Sequence, residues 1–328
     1  MKIFFLWKSE TSFEKADLML LKKDHEVRDI KFSLKRLPQI LQTLYWADIL
    51  YFWFPGDYKL LILLFGKFLG CKVVCVGGGQ MATADTKADR EYAGVKYRLG
   101  YVFSAKWCVY LADRVIAVST HEFKTIVNYS NVRKVFLVHN LINFSRLNSN
   151  KEKKTRENIC LTISNIDSEY FVRKGLDTFA ESSRLFPSVR FCLVGKDRKD
   201  GTLERINKIS GGNVAYLGRL SDEELGTKMK NSKVYCQFSR QEGFGVALAE
   251  AMRSGCIPVV SRKGAIMEVA GPCAYYISEE RSSEELKSLI PKALEAFEEH
   301  TKYFEERVAE MFGVERRRLG IKKCLDSL

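Results

Sequence analysis

With 328 residues, 46% of them apolar and 28% charged, the sequence has the composition of a globular protein with room for two ordinary domains, which excludes a disordered or fibrous chain. The net charge is +13, and residues 1–150 carry 22 basic against 13 acidic side chains, a balance of +9, so most of the excess sits in the N-terminal half. Such charge serves anionic lipid, nucleic acid, an acidic substrate or plain solubility, and composition does not choose among them.

In chain order, Met1-Lys-Ile-Phe-Phe-Leu-Trp7 is too short an apolar run for a signal peptide and reads as a buried strand. An amphipathic stretch near 11–21, a strand over 25–32 and an aromatic strand over 49–54 follow, the last stopped by Pro55-Gly56. Residues 60–69 are the most apolar segment of the chain and predict a buried helix. Gly66 and Lys67 interrupt it well short of the roughly 18–20 residues that span a bilayer, so no transmembrane anchor is expected. The strand 71–76 ends in Gly77-Gly78-Gly79-Gln80, which is either an ordinary turn or a source of backbone amides for a ligand. A helix over about 94–112, a strand over 114–118 and a cap at Ser119-Thr120 complete the first half.

The polar run 148–157 reads as an interdomain linker. Beyond it, strands at 160–164, 190–194, 214–217, 234–238, 257–260 and 274–277 alternate with helices. A helical pattern over 283–312 is expected to kink or restart at Pro291 and to end at Gly313, and a last helix-like stretch opens with Glu315-Arg316-Arg317-Arg318. This alternation predicts an α/β protein with two doubly wound parallel sheets. Nine cysteines are scattered through apolar surroundings, and His25, His121, His139 and His300 form no cluster. The thiols are therefore read as reduced core residues of a cytosolic protein, and no metal site is expected.

The densest signal is Glu242-Gly-Phe-Gly-Val-Ala-Leu-Ala-Glu250, followed by a helix stop at Gly255 and an apolar strand. Gly243 and Gly245 let a ligand approach the main chain, and a helix starting at Val246 leaves amides near Phe244, Gly245 and Val246 without carbonyl partners, a site that attracts phosphate. Glu242 precedes the helix. Glu250 lies in its second turn and leans back toward the N-terminus, where a carboxylate suits a vicinal diol.

This motif, together with Val214–Leu225, Ser232–Ser239, Met267-Glu268-Val269, the stretch Arg173-Lys174-Gly175 and the strand ending Leu193-Val194-Gly195, resembles the nucleotide-sugar-binding half of family 4 glycosyltransferases. Those are retaining enzymes of the GT-B fold, with Glu-x7-Glu as their signature. The resemblance covers about residues 158–280. It implies two Rossmann-like domains facing a cleft: an acceptor-side domain over 1–147, the linker 148–157, a donor domain over 158–312, and a C-terminal helix over 313–328 crossing back to the first domain.

It further implies that Glu242 binds the donor sugar, as the residue placed nearest the chemistry. Arg173, Lys174 and the amides of Gly243, Phe244, Gly245 and Val246 would hold the phosphates, and Glu250 the ribose diol. Gly78 and Gly79 are candidates for the acceptor side. The expected partners are a nucleotide-diphosphate sugar as substrate, a glycan or lipid-linked acceptor, and an anionic membrane touched peripherally from the cytoplasmic side, with no nucleic acid and no metal or other cofactor. The leaving phosphate can itself take the acceptor's proton, so no protein nucleophile is required, and the two carboxylates are not a glycosidase pair. Two departures from the family stand out. Ser164-Asn165-Ile166-Asp167-Ser168 replaces the usual Gly-Arg-Leu-like string, and the loop after the first strand lacks the usual glycine pair. Both favour the alternative of a binding subunit that has lost turnover.

Overall fold

The computed structural model describes residues 1–7, 11–78, 99–142 and 156–328. They fall into two compact units: residues to 78, 99–141 and 312–328 form the first, and Ile142 with 156–311 the second.

The first unit alternates β1 (Lys2–Trp7), α1 (Ser12–Asp24), β2 (Glu26–Lys31), α2 (Leu37–Trp46), β3 (Ile49–Trp53), α3 (Lys59–Phe68), β4 (Lys72–Val76), α4 (Leu99–Leu111), β5 (Arg114–Ala117), α5 (Thr120–Val127) and β6 (Val135–Leu137). The six strands pair in parallel in the order β2-β1-β3-β4-β5-β6. Because side chains alternate across a strand, Phe4, Leu6, Leu50, Phe52, Val73 and Cys75 meet Ile40, Leu44, Ile62, Leu63, Val109 and Ile126 of α2 to α5 in one core. Phe5, Tyr51 and Trp53 point to the opposite face, toward α1. Local chemistry sets the helix starts. Thr11 and Glu14 form a capping box on α1, and the Ser119 hydroxyl accepts from the Glu122 amide to cap α5.

The expectation of a buried helix over 60–69 is corrected. Ile62, Leu63 and Gly66 of α3 are buried, but Leu61 is 71% and Phe68 84% exposed, because an outer-layer helix has only one face to give to the sheet. No helix among the described residues is long and apolar enough to cross a membrane.

The second unit runs through β7 (Glu157–Ile163), α6 (Ser168–Arg173), α7 (Leu176–Leu185), β8 (Arg190–Val194), α8 (Thr202–Ser210), β9 (Val214–Tyr216), α9 (Asp222–Asn231), β10 (Ser232–Gln237), α10 (Val246–Arg253), β11 (Ile257–Ser261), α11 (Ile266–Ala270), β12 (Tyr275–Ile277), α12 (Ser283–Glu295) and α13 (Phe297–Met311). Its parallel order is β12-β11-β10-β7-β8-β9, so the direction of winding reverses between β7 and β10. Glu157, the last residue assigned to the linker, already opens β7, and most of the linker lies outside the described residues. The helix break expected at Pro291 is displaced: α12 passes through Pro291 and yields to α13 at Ala296. The amide that proline lacks would have bonded the carbonyl of Lys287, an exposed residue, so the missing bond falls on the outer side of the helix.

The last helix, α14 (Val314–Asp326), belongs to the first unit. Its Arg317 is buried and donates Nε and Nη2 to the two carboxylate oxygens of Asp17 on α1, both at 2.7 Å. Arg317 Nη1 donates to the Val138 and His139 carbonyls, while the Tyr51 hydroxyl and Trp53 Nε1 donate to Asp17. The pair is thus desolvated with nearly every polar atom matched, the condition under which a buried ion pair is tolerated.

Candidate functional site

In a doubly wound sheet, ligand sites form beyond the carboxyl ends of the strands where the winding reverses. In the second unit that point lies between β7 and β10. The segment after β7 leads into α6 and then the Lys174-Gly175 turn; the segment after β10 is Phe238–Gly245, leading into α10. The two segments are interlocked. Gly175 has φ +68°, and a Cβ there would stand 2.0 Å from the Phe238 carbonyl oxygen, so only glycine fits. The Arg240 amide donates to the Arg173 carbonyl at 2.9 Å, its Nη1 donates to the Val172 carbonyl at 2.6 Å, and its guanidinium grips Asp177 at 3.0 and 2.8 Å.

This closure brings together Lys174 and Glu242, 68 residues apart: Lys174 Nζ is ion-paired with Glu242 Oε2. Gln237 Nε2 donates to the same oxygen at 3.1 Å, fixing the carboxylate from the end of β10. The pair keeps 22% and 14% side-chain exposure, enough for a ligand to reach it. Gly245 takes φ +95° as the N-cap of α10, and the Ala249 amide donates to its carbonyl at 3.1 Å, so the earlier amides of the turn have no helical acceptor. Phe244 and Glu250 are both 4% exposed, which rules out a solvated position for Glu250. Tyr235 is buried beside both carboxylates. Burial, and then the charges of Glu242 and Glu250, push its phenol far up. An ammonium, two carboxylates and a helix N-terminus thus share one corner, able to take an anion and hydroxyl groups together.

The other expected residues are placed differently. Arg173 stays with its own helix: it stacks over Tyr170 at 4.4 Å and pairs with Glu169 at 3.7 Å, while its Nε is buried with no hydrogen-bond partner. Gly78 lies in the first unit, where its amide is engaged by the buried Glu122 carboxylate, which also accepts from the Val118 amide at 2.9 Å. A Cβ on Gly78 would meet the Phe54 ring at 2.2 Å. At Gly78 the amide that could be presented to a ligand is already taken by Glu122. Burial pushes the Glu122 carboxyl up to about 7. Gly79 lies outside the described residues. Among the described residues no three His, Cys, Asp or Glu side chains gather as a metal site, and eight cysteines are buried as free thiols while Cys273 is exposed.

Gln237, Arg240 and Asp177 were not singled out from sequence. The available signals were a polar Gln237 directly after the buried run Val234-Tyr-Cys236 and a charged Arg240 three residues beyond it.

Known proteins bear on this site. MMP alpha-(1->4)-mannosyltransferase of Mycolicibacterium hassiacum is 33% identical over 118 residues, covering 34% of this chain and 28% of that protein. A phosphatidylinositol N-acetylglucosaminyltransferase subunit of Arabidopsis thaliana is 25% identical over 190 residues, covering 56% of this chain and 42% of that protein. The chain therefore spans less than half the length of these relatives. Among solved structures, Anabaena HepE in complex with UDP and glucose superposes over 100% of both chains with a TM-score of 0.74 at 17% identity, a likeness of fold. The glycosyl transferases group 1 profile matches residues 144–311, just over half of the chain and including the whole Lys174–Glu250 corner, and the protein belongs to that family.

Proposed function

We propose that the protein is a retaining glycosyltransferase of family 4, which moves a sugar from a nucleoside diphosphate to a hydroxyl of a glycan or lipid-linked acceptor at an anionic membrane surface, without a metal. The observation that carries this reading is the Lys174–Glu242 ion pair at the mouth of α10, with Glu250 buried one helical turn behind it. The solved complex of HepE with UDP and glucose supports the donor class, and the relatives named as a mannosyltransferase and as part of a phosphatidylinositol N-acetylglucosaminyltransferase support the acceptor class.

Chemically, the donor's diphosphate replaces Glu242 as the partner of Lys174, and the first amides of α10 take further phosphate oxygens. These donors stabilise the charge that grows as the bond between the anomeric carbon and the phosphate oxygen breaks. Glu242, held by Gln237, then accepts from the sugar hydroxyls, and Glu250 accepts from both ribose hydroxyls. The acceptor oxygen bonds the anomeric carbon on the face the phosphate leaves, and its proton passes to the departing phosphate.

Thermal shift with UDP, GDP and their sugars tests the donor site, since a ligand of the folded state raises the melting temperature. At least one should stabilise the protein, and Glu250→Ala should weaken that effect; equal stabilisation of both proteins would remove the ribose assignment. Sugar transfer or slow donor hydrolysis by the purified chain separates an enzyme from a protein that only binds.

A further inference from the structure

Two neighbouring helices of the first unit carry apolar side chains on the wrong side. α3 and α4 pack against each other and on the same face of the sheet, burying Ile62, Leu63, Ala105, Cys108 and Val109. Their outward faces repeat the pattern at i, i+3 or i+4, and i+7. On α3 these are Leu61, Leu64 and Phe68, exposed by 71%, 45% and 84%; on α4 they are Phe103, Trp107 and Tyr110, exposed by 61%, 41% and 59%. On α4 the aromatic rings lie against one another, Phe103 to Trp107 at 5.9 Å and Trp107 to Tyr110 at 5.6 Å, so they form a continuous strip and not isolated exposed residues. α2 lies next to α3: a Cβ on buried Gly66 of α3 would lie 3.3 Å from buried Leu44 of α2, and Tyr45, the residue after Leu44, is 83% exposed.

The charge of this face is one-sided. Residues 34–46, 59–68 and 99–111 contain no Asp or Glu. Lys35 and Arg36 are exposed at its α2 edge, and Lys106 lies within α4 over the Tyr129 ring at 4.1 Å. Lys67 is paired with Asp113 at 2.8 Å and adds less. A second copy of the chain docking through the same face would set basic edge against basic edge. An anionic bilayer answers both features: Trp and Tyr are at home among lipid headgroups, Leu and Phe reach the acyl boundary, and Lys and Arg meet the surface charge. Neither helix is long enough to span, which suits an element lying in the interface.

We propose that the outward face of α3 and α4, with Lys35 and Arg36 at its edge, docks on an anionic lipid surface. This rests on the membrane contact proposed above and assigns it a place; the donor site is tested independently. The full chain is floated with phosphatidylcholine vesicles with and without phosphatidylglycerol, beside Phe68→Glu/Trp107→Glu, Leu61→Gln/Tyr110→Gln and Lys35→Glu/Arg36→Glu. The wild type should partition at least about tenfold better onto the anionic vesicles, and each double variant should lose about tenfold or more. All should keep the wild-type thermal response to nucleotides, which certifies folding and separates this face from the donor site. Failure of the wild type to float, or undiminished flotation of both apolar-face variants, overturns the proposal. So does a concentration-dependent dimer in sedimentation that Phe68→Glu/Trp107→Glu abolishes, which would make the face a contact between copies. Flotation without any nucleotide response would leave the lipid face standing and remove the transferase reading instead.

Discussion

Replacing Arg317 by methionine keeps most of the side-chain volume and removes the guanidinium bonded to Asp17. Asp17 is fully buried, so its carboxylate would keep the Tyr51 and Trp53 donors but lose two bonds of 2.7 Å and its counter-charge. The Val138 carbonyl would lose its Arg317 donor as well. Breaking a buried pair from one side costs about 3–5 kcal/mol. With a urea dependence of about 2 kcal/mol/M, the midpoint should fall by roughly 2 M. The readout can be confined to the right unit, because all four tryptophans, Trp7, Trp46, Trp53 and Trp107, belong to the first unit. Tryptophan fluorescence therefore follows that unit alone. Asp17→Asn combined with Arg317→Met should recover about half of the loss, since an amide oxygen still accepts from Tyr51 and Trp53 without a buried charge. A single-variant midpoint within roughly 0.3 M of wild type would refute the reasoning, since it corresponds to well under 1 kcal/mol.

Glu122 makes the first unit sensitive to pH. Its carboxyl is raised in the fold from an ordinary 4.5 to about 7, so the protonated form favours folding. The contribution is complete below about pH 4.5 and lost as pH rises through about 7, about 3 kcal/mol in total; Glu122→Gln should flatten this slope in fluorescence-detected unfolding, and identical slopes would contradict it. Gly175→Ala should destabilise the second unit by about 2–5 kcal/mol through the Phe238 clash and the positive φ, measured calorimetrically; a loss below about 1 kcal/mol would mean the turn adapts. Lys174→Ala should weaken nucleotide binding about ten- to hundredfold, as expected for one charge-assisted hydrogen bond, while Arg173→Ala should stay within about threefold in the same titration; the reverse ranking would move the phosphate contact to Arg173.

The parts of the molecule that could be read from sequence are those governed by neighbours along the chain. The helix expected from Val246 forms as Val246–Arg253 because glycines bracket it, and β-branched and aromatic runs mark β1, β3, β4 and β8. That Lys174 comes near the Glu242 turn followed from the family resemblance and from no local signal, since it depends on β7 and β10 pairing across the sheet; the direct ion pair between them, and the part of Arg240 in holding the two segments together, were not legible. For α3, composition gave hydrophobicity but not the layer the helix occupies. In Arg316-Arg317-Arg318 the buried member could have been identified: Arg317 precedes Ile321, Cys324 and Leu325 by four, seven and eight residues, which places it on the same buried helical face. Glu122 was hidden because a glutamate in the first turn of a capped helix ordinarily faces water.

The first unit is assembled from described residues to 78, 99–141 and 312–328, with residues 156–311 of the second unit intervening in the chain. During synthesis this inverts the usual N-to-C order. The second unit can reach its compact form while the first still lacks α14, whose Arg317 lies over the Trp53 ring and bonds Asp17. Until residue 317 leaves the ribosome, Asp17 has no cation to accompany it into the interior and must stay hydrated. The earlier-made half is therefore the later to finish, and a released chain truncated after residue 311 should hold a closed second unit and an open, chaperone-accessible first one.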